Sequence, residues 1–293
     1  TPLMKGVWRR LPLTLTGKRV CVAVPDTVLE EQDSAREKTT KLGQIARYCA
    51  LFGVDSVRVF HDPRGGGESA FIKNVLEYLE TPQYLRRRLF PLSEDLRYAG
   101  LLPPLRIPSH KAKVPLGKLQ AGEVREAVVL PDGLSADAGL DAPVSLRRKE
   151  SPNKRVTVKI TSVSASGIEA AQVDRREAKV YWGYSVEVSG TAALLADPAF
   201  PLKVATSRLG DPIARVARSL RIDLQGSGAV MLVFGSPSKG LFESLGKDLR
   251  NRVSYVVNLF PEQNVVTVRS EEAILSALYL VGLLASPDLP PFV

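Results

Sequence analysis

The stretch Lys18-Arg-Val-Cys-Val-Ala-Val-Pro25 is short and almost continuously apolar, the pattern of a strand buried on both faces. The next fifty residues narrow the fold further. Ser34 and Glu37 have capping-box spacing and open a helix. Leu42, Ile45, Ala46 and Cys49 recur along it at helical spacing and form its buried face. Gly53 stops this helix, and Ser56-Val-Arg-Val-Phe60 reads as a second strand. Arg64-Gly-Gly-Gly67 is a flexible loop before another helix, near Ala70 to Glu80. Strand–helix–strand order calls for a parallel sheet with right-handed crossovers.

The texture changes at about Ser109. Short alternating runs appear at Glu123–Leu130, Val144–Arg148, Arg155–Val163, Gly167–Val173 and Lys179–Val188, separated by turn residues. Five strands in this span match a small OB-type β-barrel. Apolar strands then return at Leu202–Thr206, Ala229–Phe234 and Ser254–Leu259, with helical pieces near Pro212–Leu220 and Leu241–Arg250. A last helix starts at Ser270 as N-cap, with Glu271 and Glu272 in its first turn and Ala273, Ile274, Ala277, Leu278 and Val281 on its apolar face. The expectation is an α/β domain with a parallel sheet, residues 1–108 and 189–293, interrupted by an OB-like β-barrel at 109–188.

Composition excludes several classes. With 44% hydrophobic and 24% charged residues in 293, the chain is not disordered, and its length fits two domains or one large one. No apolar run reaches the ~18 residues of a membrane helix, and Thr1 to Thr16 lacks a signal-peptide pattern, so a soluble, cytoplasmic protein without a membrane partner is expected. Cys21 and Cys49 are too few for a disulfide framework or a cysteine metal cluster, and both fall on expected core faces. His61 and His110 are the only histidines, and nothing frames them as a triad or a metal site; His61 reads as a polar residue at a strand end. No metal is expected. Neither a Gly-x-Gly-x-x-Gly turn after the first strand nor a Walker-type loop is present.

Unusual loops come after three C-terminal strands: Ala205–Asp211, Val233–Leu241 and Asn258–Ile274. Ligands of α/β sheets bind at the carboxyl ends of strands. Gly235 and Gly240 read equally as ordinary turn glycines. At these loops the sequence resembles the SPOUT class of S-adenosylmethionine-dependent RNA methyltransferases, whose chain is threaded into a trefoil knot. Phe-Gly-x(4)-Gly-Leu at 234–241 is similar to one motif of the class, and Asn258 to Ala273 to the next. Val268-Arg-Ser-Glu-Glu-Ala273 resembles the Arg-Thr-Glu-Thr-Ala ending of bacterial rRNA uridine-N3 methyltransferases. Outside the knot, Tyr78-Leu-Glu-Thr-Pro-Gln-Tyr-Leu-Arg86, Phe90-Pro, Asp95–Leu102, Gly43-Gln-Ile-Ala-Arg47, Tyr181-Trp-Gly-Tyr184 and Arg269–Ile274 resemble an archaeal–eukaryotic branch with an inserted OB-like barrel. The resemblance covers nearly the whole chain.

The resemblance implies a set of roles. Phe234, Gly235, Gly240, Leu259, Phe260 and Val268 would hold the adenosine of S-adenosylmethionine largely through backbone groups, with Thr206, Ser207, Asn258, Thr267 and Ala273 beside them. Arg208 is the first candidate for a cation near the reacting atom. Arg269 is the second, or else a structural ion-pair partner. Glu271 and Glu272 stand open between proton removal and complementing the helix dipole. The acceptor implied is uridine N3, with ribose 2′-oxygen next and a non-catalytic RNA-binding protein as the other class. The class works as a homodimer through its knot helices.

Charge supports an RNA partner, with rRNA expected. Net charge is +9, and residues 81–118 hold eight Lys and Arg against two acids. Candidate contacts are Arg86, Arg87, Arg88, Arg97, Lys111 and Lys113 there, and Arg147, Arg148, Lys149, Lys154 and Arg155 farther on. A solvated charged face is the other reading of either cluster. Alternation places Trp182 and Tyr184 on one face of a barrel strand and Tyr181 on the other, one face core and the other a stacking surface for a base.

Overall fold

A computed structural model describes residues 17–287 except 64, 116, 117, 239 and 247. The segment 1–16, read for a signal peptide, lies outside the described residues. The first part contains β1 (Arg19–Pro25), α1 (Ala35–Leu51), β2 (Ser56–Phe60), α2 (Ser69–Glu80) and α3 (Gln83–Leu89). The middle contains β3 (Val124–Val129), β4 (Ser135–Asp137), β5 (Val144–Leu146), β6 (Arg155–Ser164) and β7 (Gly167–Gln172). The last part contains β8 (Ser185–Ser189), α4 (Thr191–Ala196), β9 (Leu202–Pro212), α5 (Ile213–Gly226) and β10 (Ala229–Val233). It ends with α6 (Leu241–Leu245), α7 (Leu249–Arg252), β11 (Tyr255–Asn258) and α8 (Ser270–Ala285).

Two compact units emerge. One comprises residues 78–94 and 104–183, the other the rest of the described chain. The α/β unit has a six-stranded sheet in the order β11-β9-β10-β1-β2-β8, parallel at every pairing. Its central strands are buried along nearly their whole length, which is why they read as continuous apolar runs. Ser34 caps α1 and shares the reciprocal capping box with Glu37. Among the described residues no helix is long and apolar enough to cross a membrane.

In the other unit the strands close into a barrel of order β3-β4-β5-β7-β6. Antiparallel pairing of β3 with β6 shuts it, and β5 with β7 is its one parallel seam. Ala127, Val129, Val144, Val158, Ile160, Ile168 and Ala170 fill the interior. Arg125 is fully buried, yet its guanidinium donates to the Ala138 and Ala112 carbonyls and to Glu123 at 2.7–2.9 Å. The other face of β3 is covered by α3, whose Tyr84 hydroxyl donates to the Glu126 carbonyl at 2.8 Å. Residues 78–94 therefore pack with the barrel, whereas the expected boundary stood at 108.

Three expected elements change. The strand at Lys179–Val188 is not part of the barrel. Arg175–Ala178 form a 3-10 turn, Lys179 is left-handed with φ 55°, and Gly183 has φ 107° where a Cβ would press on the Glu80 carboxylate. Only Ser185 onward is extended, and it pairs with β2. The barrel's remaining strand is β4, three residues long. The helix at Leu241–Arg250 is broken at Gly246, φ 87°, into α6 and α7. Arg269, not Ser270, is the N-cap of α8.

Candidate functional site

The loops at the carboxyl ends of β9, β10 and β11, with the first turn of α8, enclose a cavity of about 220 Å3. Thr206, Ser207, Phe234, Gly235, Gly240, Asn258, Leu259, Phe260, Thr267, Val268 and Ala273 all line it. Arg208 lines it too, and is exposed.

The first loop arises from a register break. Ala205 pairs with Val256, but the next residue of β11, Val257, pairs with Asp211. Residues 206–210 therefore leave the ladder and carry Arg208 outward. Gly210 permits the return: a Cβ there would lie 2.7 Å from the Val256 and Val257 backbone. Asn258 ties the first loop to the third, because its Nδ2 donates to the Arg208 carbonyl at 3.0 Å and its Oδ1 accepts from the Phe260 N–H at 2.9 Å. The second loop starts where the Phe234 N–H donates to the Ala23 carbonyl of β1 at 2.9 Å. Ser238 anchors its tip on Glu30, donating to the carboxylate from its N–H at 3.0 Å and its hydroxyl at 2.5 Å.

The wall suits a flat heteroaromatic group with a polar tail. Phe234, Leu259, Phe260 and Val268 supply apolar surface, and Thr206, Ser207, Ser236 and Thr267 supply hydroxyls. A Cβ on Gly240 would meet nothing within 4 Å, so a side chain there would project into open space. Among the described residues the wall carries two charged side chains, Arg208 and Glu243.

Arg269, Glu271 and Glu272 are not part of this wall. Glu272 accepts from the Arg269 N–H at 2.9 Å and so closes the start of α8. Glu271 is buried, with its carboxylate 3.5 Å from the buried ammonium of Lys41 on α1. Glu272 thus serves the helix end and Glu271 the helix packing, and Arg269 is exposed outside the wall.

In the barrel unit several expected RNA contacts are held internally. Arg155 donates to Glu126 and to Glu80, at 2.6 Å each, and the two carboxylates raise its pKa against the effect of burial. Arg175 adds a second guanidinium on Glu80 at 2.5 Å. Burial alone would raise the Glu126 carboxyl, but Arg155, Arg175 and bonds from Thr157 and Trp182 lower it below its ordinary value. Trp182 is 6% exposed and its indole N–H donates to Glu126 at 2.6 Å, so it is not a stacking surface. Tyr184 belongs to the α/β unit, is 1% exposed, and donates to the Leu76 carbonyl. Arg86 caps the end of α2 through the Leu79 and Thr81 carbonyls and lies over the Tyr78 ring. Sequence alternation cannot show these partners, because most come from distant segments.

The other cations differ in exposure. Arg87, Lys113, Arg147, Arg148 and Lys149 are exposed, as is Arg97 in the α/β unit. Arg88 pairs with Asp137, Lys111 with Glu123 and Lys154 with Glu150. Cys21 and Cys49 are buried, and burial pushes the Cys21 thiol up to about 12, which keeps it an inert packing group. Among the described residues no group of three His, Cys, Asp or Glu side chains is arranged to hold a metal ion.

Comparison with known proteins gives a family match and several relatives. A family model described as "Putative RNA methyltransferase" matches residues 19–281. An uncharacterised protein of Halobacterium salinarum is 32% identical, covering 88% of this chain and 96% of that protein. The 28S rRNA (uridine-N(3))-methyltransferase of Homo sapiens is 30% identical, over 92% of this chain and 78% of its own length. Among solved structures, TrmJ from Z. mobilis aligns with a TM-score of 0.37 and 13% identity, covering 93% of this chain and 70% of that one.

Proposed function

The chain belongs to a SPOUT-type family of RNA methyltransferases, and on that premise we propose that it methylates N3 of a uridine in ribosomal RNA, using S-adenosylmethionine held in the cavity described above. The observation that carries this reading is the convergence of the three loops and the start of α8 on one cavity. By the family resemblance these loops would be the knot segments of the class. When bound, the cofactor supplies a methyl group already activated on a sulfonium. The protein's own task is then alignment and exclusion of water. Phe234, Leu259, Phe260 and Val268 would enclose the adenosine, with backbone groups of the same segments reading its edge. Arg208, lifted out of the sheet by the register break and fixed at its carbonyl by Asn258, would face the RNA side and stabilise negative charge on the uridine.

We read the barrel, with its strand order and closure, as an OB-like RNA-binding module. Its exposed Arg147, Arg148 and Lys149 would contact phosphates. Ile222 on α5 and Tyr279 and Leu283 on α8 are exposed apolar residues of the α/β unit, and a homodimer formed through these helices would cover them. The reading is tested by titrating the purified chain with S-adenosylmethionine in a calorimeter. Unmodified large-subunit rRNA is then methylated and its nucleosides are identified by mass spectrometry. N3-methyluridine is the expected product. A 2′-O-methyl nucleoside would move the acceptor, and the absence of both cofactor binding and transfer would sink the enzyme reading.

A further inference from the structure

Next to the cavity, the sheet carries a second arrangement that the family resemblance does not assign. β10, β1 and β2 are consecutive in the sheet, so the carboxyl ends of β1 and β2 open on the same side as the cavity loops. There the buried Asp26 holds His61, with imidazole Nδ1 2.9 Å from Asp26 Oδ2. Asp26 Oδ1 accepts from the Asp62 N–H at 3.0 Å. Asp62 is buried in turn and accepts from the Ser244 hydroxyl at 3.0 Å. Ser244 lies in α6, one residue beyond the cavity-lining Glu243. Gly67 backs the carboxylate so closely that a Cβ there would stand 2.0 Å from Asp26 Oδ2.

This geometry sets the tautomer. An ionised carboxylate only accepts, so the neutral imidazole carries its hydrogen on Nδ1 and its lone pair on Nε2. Nε2 points away from Asp26, and the His61 side chain is 57% exposed. A buried carboxylate behind an exposed imidazole is the arrangement of a proton acceptor whose cation is stabilised as it forms. Methylation at N3 of uridine needs such a group. Glu271 and Glu272 are engaged elsewhere, and Glu243 on the cavity wall has an interaction of its own. From β10 to β2 is two strand spacings, about 10 Å, most of which the His61 side chain and one hydrogen bond from N3 would cover, so a uridine with N3 at the β10 edge of the cavity would meet both the imidazole and the methyl.

We propose that His61, oriented by Asp26, accepts the N3 proton of the target uridine. The inference rests on the uridine-N3 reading above. In the step, the N3–H bond breaks and its proton passes to His61 Nε2. The N3 electron pair forms the new bond to the methyl carbon. The methyl–sulfur bond breaks, and its pair stays on sulfur as a thioether. The imidazolium then returns its proton to water.

Single-turnover transfer to rRNA tests this. His61→Ala should transfer about 100-fold more slowly or worse, with calorimetric affinity for S-adenosylmethionine and filter-binding affinity for RNA unchanged. Added imidazole should restore part of that rate. His61→Gln should stay slow, and Asp26→Asn should lose about tenfold without rescue by imidazole. A folded His61→Gln variant within about twofold of the wild type, or no imidazole rescue of His61→Ala, overturns the proposal. If wild-type protein forms N3-methyluridine while His61→Gln does so equally fast, only this inference fails. If the wild type methylates another atom, or none, the uridine-N3 reading fails and takes this one with it.

Discussion

The cavity wall of the α/β unit and the seam between residues 78–94 and the barrel strands use charge in opposite ways. The wall is built from backbone, hydroxyls and apolar side chains, with Arg208 and Glu243 as its charged members among the described residues. The seam gathers Glu80, Glu126, Arg155 and Arg175 in buried or half-buried ion pairs, with Thr157 and Trp182 completing the hydrogen bonds of Glu126. Buried charges stay because each has several partners. Those partners leave them nothing to offer RNA. A cation's place in a basic stretch therefore says little about its availability: neighbouring Arg147 and Lys149 are exposed while Arg155 is locked.

Glu126→Ala leaves Arg155 short of a partner and the Trp182 N–H without an acceptor. It should cost about 3–5 kcal/mol in urea denaturation, against a smaller loss for Glu126→Gln. A loss below about 1 kcal/mol would mean that the seam is not structural and that its arginines are available to RNA. On the cavity side, Arg208→Ala should lower methyl transfer about 100- to 1,000-fold while calorimetric cofactor affinity holds. Weakened cofactor binding with an unchanged rate would make Arg208 part of the wall rather than of the chemistry.

His110 sharpens the seam's character in a pH experiment. Burial pushes its pKa down from 6.5 to about 4, and its Nε2–H donates to the Glu80 carbonyl at 2.7 Å. A pKa below the unfolded value means stability that is complete above about pH 6.5 and is lost as pH falls toward about 4. The expected loss is on the order of 3 kcal/mol, and His110→Gln should flatten that part of the stability–pH curve. Reversing Arg147, Arg148 and Lys149 to Glu should have the smallest effect. Folding should be unchanged, with weaker RNA binding and a salt-dependence slope shallower by roughly 0.7–0.9 per lost phosphate contact. An unchanged slope would shift the RNA contact to the exposed Arg87 and Lys113.

Much of the frame was legible because it depends on local pattern. Ser56–Phe60 is a strand to the residue, and the Ser34–Glu37 box caps α1 as its spacing requires. The loops after β9, β10 and β11 stood out as unusual, and the residues named in them, apart from Arg269, Glu271 and Glu272, meet at one cavity. Other features left no local trace. β4 is too short to alternate. Tyr181 to Tyr184 alternates like a strand, yet Gly183 bends the chain there against Glu80. His61 reads alone as a strand-end polar residue, because Asp26 is 35 residues away in sequence.

Local pattern accounts for the parallel α/β sheet, for a barrel inserted in the chain between its strands and for the loops that form the cavity. Apolar periodicity, caps and turn glycines act over a few residues, so they can be read without coordinates. Which charges are used up inside depends instead on contacts between distant segments. Arg155 and Glu126 are 29 residues apart, and Arg175 and Glu80 are 95 apart. An ion pair depends on distance in space and on exclusion of water, and chain folding alone brings such groups together. The same holds for Glu271 against Lys41 and for His61 against Asp26, where packing turns residues of open role into a helix brace and a poised imidazole.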